Sequence, residues 1–101
     1  MNVGQTIFEQ LKAIDKMAIW AWGSKNFLSG KVDGEHEGLM FSVTNCPKAK
    51  RGAKVQILLD EAMDLYIVRV IRVFKGQLKI DNELDQVYAE DLVQVIDGFV
   101  G

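Results

Sequence analysis

The chain has 101 residues, 49% apolar and 26% charged, with a single Pro, so it fits one folded domain and not a disordered or linker-rich segment. Twelve basic residues against fourteen acidic ones give a net charge of −2, which argues against both a wholly basic nucleic-acid gripper and an acidic nucleic-acid mimic. One Cys (Cys46) and one His (His36) exclude an intrachain disulfide and cannot build a zinc site by themselves, and no apolar run approaches membrane-spanning length.

Thr6 and Glu9 read as a capping box, after which Ile7, Phe8, Leu11 and Ile14 share one helical face, predicting an amphipathic helix over 7–16. Residues 17–22 are apolar throughout and carry Trp20 and Trp22, which suits a short buried strand. Residues 23–38 hold four glycines and read as a long loop, long enough to hide a short strand anchored by Phe27, Leu28 and Val32. Alternation then predicts strands over 39–44 and 54–59, a turn over 60–64, and a strand from Leu65 to Phe74. Both faces of that last strand are mostly apolar, which places it centrally. A turn at Lys75-Gly76 leads to a possible short strand over 77–80. Tyr88, Leu92, Val95 or Ile96, and Phe99 recur at helical spacing, with Glu90 and Asp91 in the first turn and Gly98 as a stop. The expected fold is α+β: an antiparallel sheet of four or five strands, with an N-terminal and a C-terminal helix on one face. The other face is expected to be exposed or covered by a second copy.

The densest recognition chemistry lies in Trp20, Trp22, Gly23, Ser24, Lys25, Asn26 and Phe27. On a strand the two Trp would share a face and form one aromatic wall for a flat ring. Gly23 would let backbone N–H groups approach a ligand, and Ser24, Lys25 and Asn26 would meet phosphate or ribose oxygens. The blander reading makes both Trp core or dimer-interface residues. Arg69 and Arg72 stand in an apolar strand and each needs an anion. Internal carboxylates (Asp60, Asp64, Asp81 or Glu83) are the favoured partners and a ligand phosphate is the alternative. Their opposite parity sends them to opposite faces, so at most one serves a given pocket. Lys48, Lys50, Arg51 and Lys54 form the most basic stretch, either a phosphate-contacting loop or a solvated turn. Phosphate-loop and dinucleotide glycine motifs are both lacking. Cys46 precedes Pro47 and has only His36 as a possible partner, so the chain reads as non-enzymatic, without metal or cofactor.

Gly23-Ser24-Lys25-Asn26-Phe27, the run Asp64-Leu65-Tyr66 with Val68 and Arg72, and Val87-Tyr88 with Glu90-Asp91-Leu92 resemble a family of small phage and prophage proteins that carry a GAKNF-like segment. Here Ser24 stands where that segment has Ala. The resemblance implies an accessory, anti-defence role in the host cytoplasm, without a membrane. The expected function is to hold a small nucleotide-derived ligand in a homo-oligomer, using the 20–27 residues and one of Arg69 or Arg72. The alternatives are a single-stranded nucleic-acid binder with Lys48, Lys50, Arg51 and Lys54 at the rim, or a protein inhibitor of a host enzyme.

Overall fold

In the computed structural model, which describes residues 3–101, the chain runs α1 (Val3–Ala21), β1 (Lys25–Gly30), β2 (Gly38–Ser42), β3 (Lys54–Asp60), β4 (Leu65–Phe74), β5 (Gln77–Val87), a 3-10 turn (Ala89–Asp91) and α2 (Leu92–Val100). The strands form one antiparallel sheet in the order β1-β2-β3-β4-β5, joined by consecutive connections. This is the α+β arrangement that the alternation predicts. Ile7 and Leu11 of α1 and Leu92, Ile96 and Val100 of α2 pack on Leu39, Phe41, Val55, Ile57, Val68 and Val70 of the sheet in one core. Among the described residues no helix is long and apolar enough to cross a membrane.

The N-terminal segment departs from expectation in two ways. The helix starts by Val3, so Thr6 lies inside it, and Glu9 accepts a hydrogen bond from Gln5 Nε2 (2.9 Å) instead of closing a capping box. Residues 17–21 are helical and not a strand. Asp15 alone breaks the helix (φ −163°, ψ 89°), and its Oδ1 accepts the N–H of Ala18 at 3.2 Å. That is an N-cap bond to the third helical residue, so Asp15 ends one helix and starts a second over 16–21. A uniformly apolar run carries no period to separate strand from helix. The cap, together with Met17, Ala18 and Ala21, decides it.

The 23–38 stretch contains β1, an edge strand with a register shift between Lys25 and Leu28, where Asn26 adopts φ 57°. At the other edge, β5 runs to Val87, well beyond residue 80. Asp81, Asn82, Glu83 and Asp85 are poor strand formers. The Arg72–Asp81 pair (2.6 Å) and the Arg69–Glu83 pair clamp this segment to β4. Gly98 does not stop α2, which continues to Val100.

The face away from the helices is partly covered by the 31–37 loop. Leu58 and Ile71 are buried on that side, outside the main core. Gln56 Nε2 donates to Val32 O (3.4 Å), and Leu59 N–H donates to Glu37 O (2.9 Å). Asp33 fastens the loop. It accepts from the backbone N–H groups of Glu35 and His36, from His36 Nδ1 at 2.9 Å, and from Arg69 at 3.4 Å. Burial raises the Asp33 carboxyl, but the His36 ring and the two backbone N–H groups outweigh it and hold it at about 2. The Asp33 bond raises His36 above 6.5 against the opposing effect of burial.

These shifts fix the pH response. The Asp33 contribution is complete above its ordinary 3.8 and is lost as pH falls towards about 2. The His36 contribution is complete below 6.5 and is lost as pH rises through its raised value. Denaturant unfolding should therefore show greatest stability from this clasp between those limits. Asp33→Asn should remove the alkaline decline and soften the acid one, leaving the acid decline due to Asp81. An unchanged pH profile in Asp33→Asn would contradict the clasp.

Candidate functional site

The site is built by the way α1 ends. Successive helical residues turn by about 100°, so positions 20 and 22 point roughly opposite ways. Trp20 is 77% exposed and Trp22 is 2% exposed. The single aromatic wall expected from a strand is therefore absent. Trp22 is a core residue: its indole stacks near-parallel on Phe41 (centroids 6.3 Å, 10°), and its Nε1–H donates to Asp97 Oδ1 at 3.1 Å.

The helix closes with two capping bonds, Gly23 N–H to Trp20 O (3.0 Å) and Ser24 N–H to Ile19 O (3.4 Å). This is a Schellman end, with Gly23 in the left-handed region at φ 64°. A Cβ at Gly23 would collide with Thr44 Oγ1. Gly23 is thus required by the turn and by the close approach of the 43–46 segment.

Beside this turn lies an open groove of about 840 Å³. Phe8, Met17, Ile19 and Trp20 give it apolar walls, and Gly23, Ser24 and Asn45 lie at the turn end. Lys12, Lys16 and Lys25 line it as well, and no carboxylate does among the described residues. Lys12 is positioned over the Phe8 ring (4.8 Å) by Glu9 (3.3 Å). The Ser24 hydroxyl oxygen is shielded from solvent and has no hydrogen-bond partner among the described residues. A buried hydroxyl left unpaired costs about 1–3 kcal/mol. The groove thus combines an exposed indole with a cationic lining.

Of the residues singled out from sequence, Trp20, Gly23, Ser24 and Lys25 line this groove. Asn26 sits in the β1 bulge and does not line it. Phe27 packs against Phe8 (4.9 Å) and Phe41 (5.2 Å). Arg69 is engaged by Glu83 and Asp33, and Arg72 by Asp81, as the internal-pairing reading expects; neither lines the groove. Lys12, Lys16, Phe8 and Met17 were not anticipated. The spacing 12-16-20 is helical, but reading 17–22 as a strand hides it.

The basic stretch is divided. Lys48 caps α2, its N–H bonded to Val100 O (3.2 Å) and its Nζ to Gly98 O (3.1 Å). Lys54 belongs to β3, while Lys50 and Arg51 stay in the turn. No aromatic platform from Trp20, Trp22 and Phe27 lies on an open sheet face beside them. Asp33, Glu35 and His36 bring potential ligand atoms within 4.8 Å, but Asp33 is already committed to the loop clasp. Burial pushes the Cys46 thiol up, and its Sγ–H donates to Trp22 O at 3.4 Å, both of which disfavour the thiolate. Comparison with protein-family models, curated proteins and solved structures found no match for this chain.

The two indoles should separate in solution. In Trp20→Phe the remaining emission should be blue-shifted and protected from iodide. In Trp22→Phe, at a dilution where the chain is a monomer, it should be red-shifted and readily quenched, and stability should fall by about 1–3 kcal/mol as the Asp97 bond is lost. Equal quenching in the two variants would refute this placement.

Proposed function

We propose that the chain is a non-catalytic binding protein that holds a small nucleotide-derived anion in the groove beside Trp20. The observation carrying this reading is the pairing of an exposed indole with three groove-lining lysines and no carboxylate. The indole would stack on a base, and Lys12, Lys16 and Lys25 would meet phosphates. Trp22 has no part in contact; it holds the turn that carries Ser24 and Lys25. Arg69 and Arg72 drop out of the ligand set because neither lines the groove and each is engaged by carboxylates elsewhere. The resemblance to small phage proteins adds the biological side of the proposal: sequestration of a host defence signal in the host cytoplasm.

The alternative, a single-stranded nucleic-acid binder, has weaker support, because the basic turn and the exposed indole belong to different parts of the molecule.

Calorimetry against cyclic dinucleotides and ADP-ribose should give saturable binding that weakens with salt. Trp20→Ala should cost about 1–3 kcal/mol, roughly tenfold or more in affinity. Lys16→Ala should weaken binding and flatten the salt dependence. Absence of heat and of any thermal shift with both ligand classes would remove the proposal, and tight oligonucleotide binding would transfer it to the alternative.

A further inference from the structure

The short helix over 16–21 presents an apolar ridge to solvent. Met17 is 62% exposed and Trp20 77%, and Ile14, just before the Asp15 cap, is 43% exposed. Met17 and Ala21 line two grooves at once, so they form the crest between them. The first groove is the one carrying Lys12, Lys16 and Lys25. The second, about 600 Å³, runs between this helix and α2 and carries Asp15, Glu90 and Asp97. Among the described residues the charges lining the first flank are three lysines and those lining the second are three carboxylates. Lys12 is shared with Glu9, and Asp15 and Asp97 each already accept one internal N–H, which leaves Lys16, Lys25 and Glu90 as the charges most open to a partner.

That antisymmetry has a geometric meaning. A two-fold axis lying in a contact plane, along the crest, carries each flank onto the position facing its opposite. A ridge with a basic and an acidic side is therefore complementary to itself. We propose that two copies of this chain associate about such an axis through the Ile14-Met17-Trp20 ridge, each setting its lysine flank against the other's carboxylate flank. Trp20 is the anchor, an exposed aromatic side chain on the lysine side of the crest. An anionic lipid surface fits less well, because Asp15, Glu90 and Asp97 would face its headgroups. The inference goes beyond ligand binding. A ligand anion and the partner's carboxylates draw on the same lysines, so the two compete, and association is measured without ligand.

Sedimentation of the full chain over a concentration series should show twice the 11.3 kDa chain mass. Trp20→Ser should be monomeric with an unchanged circular dichroism spectrum, since the side chain is mostly in solvent. Lys16→Glu and Glu90→Lys should each be monomeric alone, and mixing them should restore a dimer of one of each. Glu90 lies outside the ligand groove, so its variant reads association and leaves ligand binding as a separate measurement. A monomeric wild type at every concentration would overturn the proposal. So would a dimeric Trp20→Ser, a mixture of the two charge variants that stays monomeric, or a wild type that floats with anionic phosphatidylglycerol vesicles and does not dimerise.

Discussion

The buried indole of Trp22 is the constraint on which the arrangement rests. It joins three parts of the chain that are distant in sequence. The ring stacks on Phe41 of β2, and its N–H reaches Asp97 of α2. Its carbonyl accepts the N–H groups of Thr44 and Asn45, at 3.1 and 3.0 Å, as well as the Cys46 thiol. With that residue fixed inside, the helix geometry forces Trp20 outward, and Gly23 must turn the chain into β1. The groove, its lysines and the exposed ridge follow from one inward side chain.

Much of this order was legible in the residues. Alternation in Leu39-Phe41-Val43 and in Val55-Ile57 places those side chains on the helix side, where they are buried. The apolar run from Leu65 to Val73 marks the strand that pairs on both sides. An Arg inside such a strand needs a carboxylate, and Asp81 and Glu83 supply one each. What was not legible has a common cause. The helix over 16–21 is specified by one side-chain cap at Asp15, a single bond that a hydrophobic pattern does not register. The far half of β5 is held by cross-strand ion pairs against its own propensity, so local composition does not read as a strand. The site was half visible for the same reason. Trp20, Ser24 and Lys25 lie close together in sequence, whereas Lys12 and Lys16 join them only once 17–21 is helical.

The two arginines of β4 serve different layers. Arg72 shares its face with Val68 and Val70, and holds Asp81 beside the helix-bearing core. Arg69, on the other face, reaches Glu83 and the Asp33 loop, so it joins the edge strand to the cover over Leu58 and Ile71. A single central strand thereby fastens both surfaces of the sheet.

The sheet margins bear on how copies of the molecule can meet. β1 is dislocated at Asn26, and β5 carries two shifts in its pairing with β4, with Gln86 in the left-handed region. Such dislocations spoil the straight row of donors and acceptors that an incoming strand would need. Strand-by-strand growth of the sheet into an endless ribbon is thereby disfavoured at both margins.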